Sequence, residues 1–314
     1  MPDSSRAGKG EPDMPRPSPT TPRRNPTPGE EEGAAQRPPF RPVVLTLAGS
    51  DSGGGAGIQA DLKTITLLGG FGTCAVSALT AQNGLEVRGI LETPPDFVRM
   101  QLAAVLDAFP VKAAKTGMLA SAPIIEVAVD CLGRDKRAFP LVVDPVCVSQ
   151  TGHRLLRPDA EDALRRLLLP EADLLTPTKP EAELLAGMSA TTSADLRPLL
   201  DRLHALGARA VLLKGGHFAE FAGGESISDW LSLPGREPLV FSRPRVATVH
   251  THGTGCTLSA ALATLLAYGL PPEEAVSRAQ AFLGAALEAA FAPGLGAGPP
   301  DLLSGAAKET MWHF

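Results

Sequence analysis

Val43-Val44-Leu45-Thr46-Leu47-Ala48 runs directly into Gly49-Ser50-Asp51-Ser52-Gly53-Gly54-Gly55-Ala56-Gly57, and a helical pattern continues from Ile58 to Leu68. A short apolar strand, a glycine loop and a helix in succession is the layout that brings backbone amides up to a phosphate or another ligand. A P-loop requires Gly-Lys-Ser/Thr after the glycines, and none follows here. Gly55-Ala56-Gly57-Ile58-Gln59-Ala60 fits the dinucleotide fingerprint G-x-G-x-x-A, but that motif needs an acid roughly 20 residues on to hold the ribose. Phe71 to Ala81 contains neither Asp nor Glu. A plain turn leaves five glycines in nine residues unexplained, at a chain-entropy cost of roughly 0.5–1 kcal/mol each relative to alanine. A ligand that approaches the backbone accounts for that cost better than turning alone. Asp61 falls in the first turn of the helix, where an acid either binds something or compensates the helix dipole.

Working outward, the same alternation repeats. Strand-like stretches at Gly72–Thr80, Val111–Lys115, Leu141–Val143, Asp173–Thr176 and Ala210–Leu213 alternate with helical patterns. Those helices are expected at about Pro95–Phe109, Ser121–Leu132, Pro158–Leu169, Pro180–Ala186 and Asp195–Leu206. Short continuous apolar strands between helices predict an α/β fold, with a mostly parallel sheet covered by helices on both faces. Leu231–Leu233 and Val246–Val249 are predicted as later strands, the first antiparallel. Two Ala-rich helices, Thr257–Tyr268 and Pro272–Ala290, follow. With no internal repeat and no linker, residues 41–314 are expected to form a single domain.

Residues 1–40 hold 10 of the 30 prolines among Ser, Thr, Arg and Glu. So little apolar surface cannot offset ordering entropy, and a disordered tail is expected there. The 314 residues carry a net charge of −5, which argues against nucleic acid as a main partner. No apolar run reaches the roughly 18–20 residues that span a bilayer. Four cysteines without C-x-x-C spacing (Cys74, Cys131, Cys147 and Cys256) read as reduced thiols of a cytoplasmic protein.

The strongest local signal is His250-Thr251-His252-Gly253-Thr254-Gly255-Cys256-Thr257-Leu258-Ser259, leading into an apolar helix. Gly253 and Gly255 let successive amides point one way, and the helix behind adds its positive end. Such a site receives the negative charge of a moving phosphoryl group. Cys256 at the helix start is where a thiol pKa tends to fall, which would suit a general base. Elsewhere a cysteine is more often a small buried hydrophobe. His250 and His252 lack a third ligand spaced to make a metal site with them, so a loop role is expected for both.

Taken together, these stretches resemble the hydroxymethylpyrimidine/phosphomethylpyrimidine kinases of thiamin biosynthesis, in the ribokinase superfamily. The likeness also covers Ala81-Gln82-Asn83, Lys115-Thr116-Gly117-Met118-Leu119, Val143-Asp144-Pro145-Val146 and Leu212-Leu213-Lys214-Gly215-Gly216-His217, in the family's order over about residues 43–290. It implies a ribokinase-like three-layer sandwich. ATP with Mg²⁺ would phosphorylate 4-amino-5-hydroxymethyl-2-methylpyrimidine, and a second ATP would convert the monophosphate to the diphosphate. The resemblance assigns Gln82 to the ring nitrogen and amino group, a task suited to an amide's donor and acceptor. It places Asp61 on the hydroxymethyl, Met118 on the ring face and Gly49 beside the substrate. Lys214, Thr254 and Gly255 would meet the nucleotide; Cys256, Lys214, Gly253 and Gly255 would carry the transfer; and Glu181 would hold magnesium through water. The magnesium-linked pattern Asn-x-x-Glu reads Thr178-Lys179-Pro180-Glu181 here, so an amide is lost. Gly294, Gly296, Gly298 and Pro299 keep a family-like ending without its histidine. A homodimer is expected, with the small pyrimidine as partner and neither nucleic acid nor membrane. A pyridoxal or pyridoxine kinase, or a catalytically inactive pyrimidine-binding regulator, is the alternative.

Overall fold

A computed structural model describes residues 40–147, 156–215 and 224–308. The tail expected over residues 1–40 lies outside the described residues except for Phe40, as do Gly216 and His217 of the lysine motif.

The described strands form one sheet, ordered β3-β2-β1-β4-β5-β6-β7-β8-β9. They are β1 (Val43–Asp51), β2 (Phe71–Gln82), β3 (Val87–Glu92), β4 (Val111–Thr116), β5 (Leu141–Val143), β6 (Leu174–Leu175), β7 (Val211–Leu213), β8 (Ser226–Ser232) and β9 (Leu239–Pro244). From β2 to β7 all pairings are parallel, whereas β3, β8 and β9 pair antiparallel at the two margins. This is the mostly parallel sheet that the strand pattern predicted.

Side chains alternate across a strand, so each central strand feeds two cores. Leu45, Leu47, Ala114, Val143, Leu175, Val211 and Leu213 face one side. There they meet α2 (Pro95–Ala108), α3 (Ala122–Leu132), α4 (Pro158–Ala163), α5 (Lys179–Ala186) and α6 (Leu196–Ala205). Val44, Ala113, Val142, Leu174, Leu212 and Leu231 face the other side. That core is closed by α1 (Gly57–Leu67), α7 (Thr254–Ala267), α8 (Pro272–Glu288) and α9 (Leu302–Lys308). Because both faces are covered, β5, β6 and β7 are apolar throughout.

Four departures have physical reasons. Val246–Val249 is not a strand: it lies in a loop after β9, with Val249 75% exposed. Its β-branched residues fit a strand locally but find no sheet edge to pair with. The margin strands β3 and β9 have no counterpart among the expected strands, because Val87–Glu92 and Leu239–Pro244 are largely exposed edges without a continuous apolar run along the strand. The helix expected over Pro158–Leu169 changes winding, from α4 to a π-turn at Leu164–Leu168 and a 3₁₀ turn at Leu169–Glu171, where Pro170 stops it. The short helix α9 also lies beyond the last element the sequence pattern marked out.

Candidate active site

Chain order reverses beside β1: the path goes to β2 on one flank, then crosses to β4 on the other. At such a switch point the connections leave in opposite directions and open a crevice outside the carboxyl ends of the strands. A cavity of about 270 Å³ lies there. Its wall takes Gly49 and Asp51 from the end of β1, Gln82 from β2, Lys115 from β4, Asp144 after β5 and Lys214 after β7, with Thr251–Cys256 closing one side.

Gln82, Met118 and Gly49 come together on this wall. Gln82 Oε1 accepts from Thr80 Oγ1 at 3.1 Å, and its Nε2 group makes no hydrogen bond among the described residues. The Gln82 backbone is tied down by reciprocal bonds with Ser52 Oγ at 2.8 and 2.7 Å. A Cβ at position 49 would stand 3.2 Å from Met118 Sδ, so the glycine leaves room for that thioether. Gln59 braces the adjacent corner, accepting from Asp51 N–H at 2.9 Å and donating to Ser50 Oγ at 2.8 Å.

The expectation for Asp61 is corrected. It is fully buried and not on the cavity wall. Its oxygens accept from Thr46 Oγ1 at 2.6 Å and from Lys115 Nζ at 2.8 Å. Position 61 lies one turn into α1, facing the sheet, so the acid is a counter-ion behind the wall and Lys115 is the group that reaches the cavity. Burial works against the Lys115 ammonium, but Asp61 outweighs it and holds Lys115 above its ordinary range.

Asp51, rather than Asp61, is the acid at the first glycine loop. Its carboxylate accepts from the amides of Gly53 (2.8 Å), Gly55 (3.1 Å) and Ala56 (2.9 Å) and bonds His252 Nε2 at 2.8 Å. Burial would raise this carboxyl, yet the bonds from His252, Gly53 and Ala56 hold it below the usual carboxylate range. His252 therefore joins the two glycine loops as a strut. Directly beside it Gly253 takes a left-handed φ of 82°, and a Cβ there would stand 1.8 Å from Gly55 O. Only glycine permits that approach. His250 is used too: Gly298 N–H donates to its Nδ1 at 3.1 Å. His252 N–H donates to Gly298 O at 3.0 Å and Ala297 N–H to Gly84 O at 2.9 Å. The glycine-rich ending thus stitches the Gln82 loop to the second glycine loop.

At that second loop α7 begins on Gly253, and the first helical amides have no partner within the helix. Thr254 spends both its N–H (3.2 Å) and its Oγ1 (2.7 Å) on Thr251 O, which leaves the amides of Gly255 and Cys256 for an anion. Cys256 lines the cavity. The lowered thiol expected from the helix start is not found: burial pushes it up to about 11, against the opposing pull of Lys115 and a bond from Gly57 N–H. The helix end offers about half a charge, whereas two buried carboxylates, Asp61 and Asp144, add to the cost of a thiolate.

Lys214 Nζ donates to Asp144 Oδ1 at 2.9 Å, and Ser259 Oγ donates to Oδ2 at 3.2 Å. Burial disfavours the charge of both residues. Lys214 and Lys115 nevertheless hold the Asp144 carboxyl below its usual range, while Asp144 and Glu181 hold Lys214 above its own. Glu181 caps α5: its Oε2 accepts from Thr178 N–H and Thr178 Oγ1, both at 2.8 Å. The loop role expected for His252 is the one found, whereas Asp144, Asp51 and Lys115, all at strand ends in matched motifs, carry no role in the sequence pattern. Strand-end polarity was the available signal.

A switch-point cavity with a lysine, a helix start and a thiol around it, and an amide opposite, defines a ribokinase-like phosphotransferase. The phosphomethylpyrimidine kinase family profile matches residues 51–301. The chain is 48% identical over 265 residues to the Thiamine biosynthesis bifunctional protein ThiED of Geobacter sulfurreducens, covering 84% of this chain and 53% of that longer protein. It is 45% identical to the hydroxymethylpyrimidine/phosphomethylpyrimidine kinase of Haemophilus influenzae, covering 82% of this chain and 95% of that one. Among solved structures, an ADP complex of Bacillus subtilis pyridoxal kinase superposes with a TM-score of 0.76 at 36% identity, covering 84% and 98%. The chain belongs to the phosphomethylpyrimidine kinase family.

Proposed function

We propose that this protein transfers a phosphoryl group from ATP to the hydroxymethyl oxygen of 4-amino-5-hydroxymethyl-2-methylpyrimidine, and then a second one to the resulting monophosphate, in thiamin biosynthesis. The observation that carries this reading is the shared wall of one cavity, which Gln82 and Met118 line together with Lys214, Gly255 and Cys256. Gln82 has a donor to give to a flat ring, and Met118 offers an apolar face against it. Lys214 and the two amides face charge that spreads over the phosphoryl oxygens. Phosphoryl transfer depends mostly on such placement and electrostatics.

The thiolate form of Cys256, a minor species at neutral pH, takes the hydroxymethyl proton in the first transfer. The monophosphate is already ionised at neutral pH, so the second transfer needs no base. Magnesium would offset charge on the triphosphate. The residues present fit a metal that is touched through water: Glu181 Oε2 is engaged by Thr178, leaving Oε1, and no group of three or more His, Cys, Asp or Glu that could hold a metal occurs among the described residues. Thr178 keeps Glu181 in place through its hydroxyl, which offsets the lost amide. No described helix is long and apolar enough to cross a membrane, and a reaction that draws on ATP suits the cytoplasm.

Likeness to a pyridoxal kinase supports a second reading, phosphorylation of the hydroxymethyl of pyridoxal. An ADP-release assay with hydroxymethylpyrimidine, its monophosphate and pyridoxal side by side separates the two. Turnover of both pyrimidines above pyridoxal is expected. Preference for pyridoxal would overturn the assignment.

A further inference from the structure

Lys115 is the largest side chain of the described residues with no exposed surface, and burial of a lysine is rare without a paired role. Its ammonium is held by both Asp61 oxygens at 2.8 Å, and Asp61 is in turn fixed by Thr46. No other hydrogen bond of the ammonium is made among the described residues. The pair is asymmetric: Lys115 reaches the cavity wall and Asp61 does not. Two residues on, Gly117 also lines the cavity. A Cβ there would stand 3.1 Å from Lys115 Nζ and 3.0 Å from Ala48 Cβ, so the glycine keeps a side chain from crowding the ammonium on the cavity side. A pair that served stability alone would gain from replacement by apolar side chains, because desolvating two charges costs more than their attraction returns. An ion pair kept here, with its cation in a wall shared with Met118 and Cys256 and coupled electrostatically to the thiol, has a different use.

We propose that Lys115 is the acceptor-side cation of the reaction, donating to the attacking oxygen: the hydroxymethyl oxygen in the first transfer and a phosphate oxygen of the monophosphate in the second. In the first transfer the new O–P bond forms as the bond to ADP breaks. ADP leaves with that electron pair, the hydroxymethyl proton passes to the thiolate form of Cys256, whose own proton has gone to solvent beforehand, and Lys115 keeps its own proton. In the second transfer the acceptor arrives as an anion, so Lys115 offsets a full charge and its contribution is larger. The inference rests on the pyrimidine-kinase reading and deepens it by naming how one site accepts both a neutral alcohol and its charged product.

The test pairs Lys115→Met with the charge-balanced double variant Lys115→Met/Asp61→Asn. The single variant strands a buried carboxylate and can fail to fold, whereas the double variant removes both charges together. For the folded double variant, the expected result is a loss of at least 100-fold in kcat for the second transfer and a smaller loss for the first. The KM for ATP should move less than threefold, and the KM for the monophosphate should rise at least tenfold. If kcat for both transfers stays within threefold of the wild type, the pair is structural and the inference falls alone. If the wild-type protein phosphorylates neither pyrimidine, the functional reading falls and takes the inference with it.

Discussion

The two transfers should respond differently to pH, and the size of the difference can be worked from the site. With the Cys256 thiol pushed up to about 11, roughly one molecule in three thousand carries the thiolate at pH 7.5. Reaching that state costs about 5 kcal/mol at this pH. A turnover on the order of 1 per second corresponds to a barrier of about 17 kcal/mol, so about 12 remain for the transfer itself. The cost is therefore compatible with a working enzyme, and it sets a slope. Between pH 7 and 9.5, well below the thiol pKa, kcat for the hydroxymethyl acceptor should rise about tenfold per unit, or roughly 300-fold in all. Over the same range kcat for the monophosphate acceptor should stay flat, since its last proton leaves near pH 6. Quenched time courses resolved by ion-exchange chromatography give both rates, and circular dichroism at each pH confirms that the fold persists. Cys256→Ala should abolish the slope of the first transfer while leaving the second within tenfold. A first transfer as flat as the second, in protein that is still folded, would refute the thiol as proton acceptor.

Replacing Gln82 by Leu should raise the KM for hydroxymethylpyrimidine at least tenfold and that for ATP less than threefold; equal losses would move Gln82 off the ring. Asp51 has its carboxyl held low in the fold, so its contribution to stability is present above its unfolded pKa of about 3.9 and is lost as pH falls through the folded value. Urea midpoints measured at pH 6 and pH 3 should accordingly fall further in the wild type than in Asp51→Asn, and parallel falls would count against the pairing with His252 and the loop amides. Gly253→Ala, with a positive φ and a Cβ 1.8 Å from Gly55 O, should cost at least about 2 kcal/mol and most of the activity. Gly255→Ala meets only Lys214 Nζ at 3.5 Å and Asp144 Oδ2 at 3.6 Å, so its melting temperature should hold while its KM for ATP rises.

Periodicity and punctuation carry much of this protein without coordinates. The short runs Val43–Ala48, Leu141–Val143 and Ala210–Leu213 read as strands covered on both faces, because no charged residue marks a wet side and each is too short for a helix. Two glycine stretches, each leading into a helix, announced the two loops that meet at the site, since glycine at that density has a local cause. Gln82 and Lys214, which the family resemblance named, reach the cavity wall together with Cys256, which local signals named. Those signals failed where a residue's role depends on what lies across the sheet. Asp51 and Asp61 both lie near the first glycine loop in sequence; packing turns Asp61 inward to Lys115 and leaves Asp51 at the loop with His252. The Cys256 thiol reads as acidic from its helix position and is held neutral by burial and by carboxylates from two other elements. Val246–Val249 has strand composition but no edge to join. What a chain says about itself is bounded by backbone geometry and short-range pattern; which charges face each other, and how dry they are, is set only when distant segments pack.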